Sequence, residues 1–430
     1  MNPQAEELNR IISETNPAVH NLLSNKGRNI FFPKKGILGQ SADAKGTKID
    51  ATIGTAIEDD GSPMRLPALE ACINVEPSLI FPYAPSYGRL DIRKQWKEMI
   101  YSKNPKLGDK AISLPVVTNA LTHGASMAGY LFVNQGDEIL VPDLYWGNYN
   151  LIFSQAYGAV LKPYKLFEGS ALNLDSLKST LAEGGVGKKM VLLNFPNNPT
   201  GYSPTIEEAK KIASVLKEEA EKGSHILVII DDAYFGLVYE DGIEPESVFT
   251  YLSDIHANIL ALKIDGPTKE DYVWGFRVGF ITYGVKGGTP GLYAALEEKT
   301  AGAVRGNISN AANISQSLLL KAYKDSEYEQ QKIKKFVILK ERYKAVKKVL
   351  QENAKYNEVF TALPYNSGYF MCVKLAEGID GEKLRRVLID KYSIGVINLN
   401  NVIRLAFSAV AVKDVPELFE GIYKACLDIR

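Results

Sequence analysis

Cysteine is nearly missing from this 430-residue chain, with only Cys72, Cys372 and Cys426. They are too few and too widely spaced for a disulfide framework, form no CxxC pair, and point to a reducing, cytoplasmic setting. Histidine is almost as scarce. His20, His123, His225 and His256 show no metal-ligand spacing, so no zinc site is expected. Net charge is absent, 50 basic against 50 acidic residues, and no basic block occurs, which argues against nucleic acid or an anionic membrane surface as partner. Long apolar runs are absent too. The strongest, such as ILVII at 226–230, fall far short of the ~18 residues of a membrane-spanning helix. The first residues, MNPQAEELNRIISE, are acidic and lack the basic-then-apolar layout of a secretory signal. No GxGxxG follows a strand and no GxSxG elbow occurs. GGVGKKM at 184–190 has Ala182 where a phosphate loop needs glycine and Lys189 where it needs Ser or Thr, so it reads as a turn.

What is present is an ordinary globular composition, 46% apolar and 23% charged, in a chain long enough for one large and one small domain. Residues 5–24 read as a helix. From about 88 to 300, helical stretches alternate with the short apolar runs DEILVPD, MVLLNFP, HILVIIDD, NILALKID and RVGFITYG. That alternation predicts α/β layering on a mostly parallel sheet, with ligands at the carboxyl ends of the strands. A long helical pattern spans 313–353. The expected fold is an α/β protein: a three-layer α/β/α large domain over 61–312, and a smaller α+β domain formed by 1–60 and 313–430.

Polar clusters follow successive strands. In TNALTHGASMAG, Gly124, Ala125 and Ser126 are expected to open a helix whose amides bind an anion. In VPDLYWGNY, Trp146 could stack on a flat ring. In NFPNNPTGYSP, the prolines fix a turn that presents Asn198. In VIIDDAYFG, Asp231 ends the most apolar strand, where a carboxylate is costly unless paired with a cation, so it needs a partner from protein or ligand, with Tyr234 close behind. Finally, KIDGPTKEDYVWGFRVGF carries Lys269 and Arg277. Each cluster alone also has a structural explanation: a small-residue helix start, a core aromatic, a proline turn, a capping aspartate. Together they supply an amine, an anion clamp, a carboxylate, a hydrogen-bond donor and a flat partner, the set that pyridoxal phosphate requires.

These motifs resemble those of the fold-type-I pyridoxal-phosphate enzymes, close to the class I/II aminotransferases and similar to aspartate aminotransferase. The lysine motif matches at Lys269, Gly275, Arg277 and Gly279, the turn motif at Asn198 to Gly201, and the D-x-A-Y motif at Asp231, Ala233 and Tyr234. The resemblance implies Lys269 as the Schiff-base lysine and acid/base, and Asp231 at the ring nitrogen. It implies Asn198 and Tyr234 at the phenolic oxygen and Trp146 on the ring. Arg277, Ser126 and the amides of Gly124 and Ala125 are implied at the phosphate. VIRLAFS places Arg404 at the substrate α-carboxylate, with the backbone near Thr55 beside it. FPYAPSYG and AGAVRGNISN imply a homodimer with shared active sites, in which Tyr83 and Ser309 reach the neighbour's phosphate and Arg305 a distal substrate carboxylate.

Two departures stand out. Gly266 replaces a serine of the family, and Thr268 is the expected substitute hydroxyl at the phosphate. Tyr149 replaces a histidine, which leaves the support of Asp231 open. The expected activity is an aminotransferase acting on aspartate or glutamate. The alternatives are an aromatic-amino-acid aminotransferase or a lyase on the same fold.

Overall fold

The computed structural model describes residues 1–33 and 36–430. Near its start a short strand, β1 (Ile49–Asp50), pairs in parallel with a strand almost 350 residues later, so the two ends of the chain meet. The central block holds β2 (Val116–Thr118), β3 (Glu138–Pro142) and β4 (Val160–Tyr164), then a small hairpin of β5 (Phe167–Glu168) and β6 (Ala171–Leu172). It continues with β7 (Lys188–Asn194), β8 (His225–Asp231), β9 (Ile259–Asp265) and β10 (Gly279–Gly284). Apart from the hairpin these form one seven-stranded sheet in the order β2-β10-β9-β8-β7-β3-β4. Only β10 runs against its neighbours, so the sheet is mostly parallel, and all five apolar runs noted in the sequence lie in it.

The central strands are hydrophobic on both faces because helices cover both. In β8, HILVIID is buried from its second residue to its last. Helix Ile206–Glu221 is set by a capping box, in which the Thr205 side chain accepts from the Glu208 N–H and Glu208 reaches back to the Thr205 N–H. Helix Ala120–Phe132 packs on the sheet where β10 begins. A Cβ on Gly279 would lie 2.6 Å from the carbonyl carbon of Ala120, so glycine lets the two backbones meet.

The later part of the chain forms a second, antiparallel sheet, from β11 (Phe360–Ala362), β12 (Phe370–Leu375), β14 (Ile397–Leu399) and β15 (Val402–Ala406), ordered β11-β12-β15-β14. The remaining strand, β13 (Ile394–Gly395), is the partner of β1.

Two helical readings need correction. The helix expected over 5–24 is two, Pro3–Thr15 and Pro17–Leu22. Asn16 ends the first and caps the second, its side chain accepting from the Ala18 and Val19 N–H groups, and Pro17 has no N–H to continue the first. The pattern over 313–353 likewise divides into Asn313–Ala322 and Tyr328–Glu352. Among the described residues no helix is long and apolar enough to cross a membrane.

Candidate active site

A cavity of about 1280 Å³ opens at the carboxyl ends of β3, β7, β8 and β9, and is closed on the far side by residues 52–55 and by β15. Parallel strands deliver their polar C-terminal residues to one edge, so four sequence clusters converge there.

Asp231 ends β8 and is buried. One carboxylate oxygen accepts a 2.6 Å hydrogen bond from the Tyr149 hydroxyl, the other accepts from the Ala233 N–H at 3.1 Å. Burial pushes this carboxyl up, while the Tyr149 bond and the Lys269 charge pull it down. The open question about the histidine position is thereby answered: Tyr149 supports Asp231. A phenol can donate there as an imidazole N–H does.

Lys269 sits on the single turn Pro267–Glu270 with its amine 4.9 Å from the centre of the Tyr234 ring. Burial lowers its pKa to about 8, Arg277 adds to the lowering and Asp231 opposes it. Burial raises the Tyr234 phenol.

Asn198 and Arg404 belong to one network. The Asn194 amide donates to the Asp231 carbonyl at 2.8 Å, and its oxygen accepts from the Asn198 N–H at 2.8 Å. The Asn198 oxygen in turn accepts from Arg404 Nη1 at 3.3 Å. Arg404 Nη2 donates to the Thr52 carbonyl at 3.0 Å, and the guanidinium lies 4.3 Å from the Phe370 ring centre. Arg404 is only 3% exposed, its Nε has no partner, and among the described residues it makes no ion pair. Thr55 lies on the same wall. Asn194 escaped sequence reasoning, although it opens the quoted proline stretch.

The phosphate end requires a correction. The helix expected to open at Gly124 opens one turn earlier, at Ala120, with no side chain capping it. Ala120, Leu121 and Thr122 line the cavity, whereas Gly124, Ala125 and Ser126 do not. Gly124 faces the sheet, where a Cβ would come within 2.8 Å of Ile264, Ala125 is buried, and the Ser126 hydroxyl is bonded to that of Tyr157 at 3.0 Å. Arg277 and Thr268 reach the cavity. The buried Thr268 hydroxyl has no partner. Gly266 has room for nothing larger, since a Cβ would lie 2.8 Å from the Val278 carbonyl oxygen.

Trp146 also lines the cavity, its ring edge-on to Tyr149 at 5.4 Å. Tyr83, Arg305 and Ser309 do not. They share a surface elsewhere: Asn313 donates to the Pro82 carbonyl at 2.9 Å, Ser86 to the Ser309 carbonyl at 2.8 Å, and Arg305 to the Ser309 hydroxyl at 2.8 Å. Tyr83 is 90% exposed.

With this geometry in hand, the sequence pattern of the family "aminotransferase class I and II" matches residues 64–422. The chain belongs to this family. A stretch of 219 residues is 31% identical to a "Probable aspartate/prephenate aminotransferase" of Aquifex aeolicus, covering 49% of this chain and 51% of that one. A stretch of 200 residues is 27% identical to a "Probable N-acetyl-LL-diaminopimelate aminotransferase" of Bacillus subtilis, covering 46% and 47%. The chain thus spans about half the length of these curated relatives. An aminotransferase structure from Anaerococcus prevotii superposes with a TM-score of 0.83 at 25% identity, over 94% of this chain and 98% of that one. A Thermus thermophilus aspartate aminotransferase shares the fold, with a TM-score of 0.73 at 17% identity over 94% of this chain and 99% of that one.

The class I/II aminotransferases use pyridoxal 5′-phosphate, and the residues here fit it. An uncapped helix start, Arg277, an unpartnered buried hydroxyl, a buried carboxylate and an amine of lowered pKa all line one cavity. Sequence reasoning also missed a buried charge cluster beneath the site, in which Lys263 of β9 pairs with Asp232 and, at 3.1 Å, with Asp265. A lone lysine inside the apolar run NILALKID was the available signal.

Proposed function

We propose that this protein is a pyridoxal-phosphate-dependent aminotransferase. It moves an amino group between an L-amino acid, aspartate or glutamate, and a 2-oxo acid. The observation that carries the reading is Arg404: a buried guanidinium without a carboxylate partner, on the same cavity as Lys269 and Asp231. A buried cation left uncompensated is costly, so the site calls for an anion from outside, and a planar fork suits a carboxylate.

When bound, the cofactor supplies an aldehyde that bonds amines and a ring that accepts an electron pair from the substrate α-carbon. Lys269 would hold the cofactor's aldehyde carbon. With a pKa near 8 it is partly neutral at physiological pH, so its Nζ can take a proton from the substrate Cα and return it elsewhere. Asp231, whose ionised form the Tyr149 hydrogen bond favours against burial, would keep a proton on the ring nitrogen. Asn198 and Tyr234 would face the phenolic oxygen and Trp146 the ring. Ala120, Leu121 and Thr122 N–H groups, Thr268 and Arg277 would hold the phosphate. Arg404 would orient the substrate carboxylate, with Thr55 beside it.

The described cations lining the cavity are Lys269, Arg277 and Arg404, and each has a role above. For a distal carboxylate the family resemblance offers Arg305 of a partner subunit. The shared surface of Tyr83, Arg305 and Ser309, outside their own cavity, supports a homodimer with shared sites, and the Aquifex relative is named for aspartate. Ile37, Leu38 and Tyr145 on the cavity wall favour the aromatic-substrate alternative if Arg305 does not reach it. The three buried, unpaired cysteines support a reducing, cytoplasmic setting.

The test is absorbance of the cofactor-loaded protein. Its band is expected to bleach with aspartate or glutamate and return with 2-oxoglutarate, whereas a lyase would restore its band without any oxo acid and form no glutamate from 2-oxoglutarate. Arg305→Ala should lose rate with aspartate but not alanine; equal rates would refute the dicarboxylate assignment.

A further inference from the structure

The turn that carries Lys269 is one turn long, Pro267–Glu270, and so short a helix does not hold itself. Its fixture is Asp271, the next residue, which is fully buried. Asp271 accepts from the Tyr328 hydroxyl at 2.6 Å and the Tyr323 hydroxyl at 3.1 Å, and pairs with Lys332 at 2.9 Å. Lys332 also meets Glu270 at 3.2 Å, and the second cation on Glu270 is Lys103, at 2.9 Å. Tyr328 and Lys332 lie in the first turns of the long helix Tyr328–Glu352. The same helix then reaches the substrate end. Lys335 pairs with Glu58, Arg342 with Asp59 at 2.8 Å, and Arg342 donates to the Ser408 carbonyl. Glu58 and Asp59 follow Thr55, and Ser408 follows the strand of Arg404.

We propose that Lys332 is a positioning residue for the reactive amine: through Asp271 and Glu270 it fixes the turn that presents Lys269, and it compensates two carboxylates beside that turn. This rests on Lys269 being the reactive amine. The other groups facing Lys269 are Asp231 and Tyr234 from the end of β8, and Arg277 from the loop after the turn. The Tyr369 hydroxyl donates to the Lys269 carbonyl at 3.0 Å. Lys103 and Lys332 lie behind the turn. Removing the Lys332 charge leaves the acids less opposed, which favours the Lys269 ammonium form.

The experiment reads Lys269 in the apoprotein, through the pH dependence of its acylation by an amine-reactive reagent followed by peptide mass spectrometry. It needs no transamination, so failure of the activity and failure of this inference are distinguishable. Lys332→Met is expected to raise the midpoint by roughly half to one pH unit, which slows acylation at pH 7 about three- to tenfold. Lys332→Arg should keep the wild-type midpoint. Asp271→Asn, which removes a carboxylate and keeps Lys332, should lower it, so the inference stays testable if Lys332→Met does not fold. Combining Lys332→Met with Asp271→Asn should bring the midpoint back toward wild type. An unchanged midpoint in folded Lys332→Met, or an unchanged or raised one in Asp271→Asn, overturns the proposal.

Discussion

Arg404→Met should make the apoprotein no less stable while destroying its grip on substrate. The guanidinium is buried, carries a full charge, and is offset only by two carbonyl-type acceptors and the face of Phe370. The effective penalty for burying an ion is several kcal/mol, and a packed apolar side chain in its place is often neutral or stabilising. Thr52 and Asn198 lose a donor, but their oxygens border a cavity that water can enter. The net expectation is between no change and a gain of about 2 kcal/mol. Function moves the other way. Two charge-assisted hydrogen bonds to a carboxylate are worth about 1.5–3 kcal/mol each, or roughly 3–6 together, which is about 10²–10⁴ in kcat/KM. Thermal unfolding of the apoprotein and steady-state rates with one amino donor read both quantities. A variant that loses more than about 1 kcal/mol of apoprotein stability would show that Arg404 is a structural cation. One that keeps kcat/KM within about tenfold would show that it does not bind the carboxylate.

Other predictions concern the cofactor end. Tyr149→Phe removes a donor to a buried carboxylate whose pKa burial already raises, so Asp231 should protonate more readily. The acid limb of the kcat/KM profile should move up by about one pH unit, since a hydrogen bond to a charged group is worth about 1.5–3 kcal/mol; an unmoved limb would contradict that role. The sign also bears on stability. A carboxyl whose folded pKa is raised contributes stability below its unfolded pKa that is lost as pH rises through the folded one. Tyr149→Phe should therefore destabilise the apoprotein more at pH 8 than at pH 4, as thermal unfolding at the two values would report. Thr268→Val should weaken pyridoxal phosphate binding about ten- to hundredfold by equilibrium titration, the value of one hydrogen bond to a charged group, and unchanged affinity would remove Thr268 from the phosphate site.

Where sequence and structure part, the cause is geometric. The lysine, aspartate and arginine motifs are legible because an amine, a carboxylate and a guanidinium are each one residue type, and their spacings reflect short local turns; the structure brings all three to one cavity. The helix Ala120–Phe132 was placed a turn late, because the small residues of GASMAG mark where it packs on the sheet, while its start depends on where the backbone leaves β2. Support for Asp231 could not be read either. Tyr149 lies 82 residues away, and the two meet only because β3 and β8 deliver their ends to the same edge. Nor could the tie between Lys332 and the Lys269 turn be found in a helix that reads as an ordinary charged face.

The sequence by itself determined the layered α/β architecture and the chemical kinds of group at the site. Apolar period and turn chemistry are local properties of the chain, and each reactive group is a single side chain. Tertiary structure alone decided which carboxylate has a partner, which arginine lacks one, which helix start faces the cavity and which side chains pack behind the turn of Lys269. Those are matters of burial and contact between segments hundreds of residues apart, and a linear chain does not carry them.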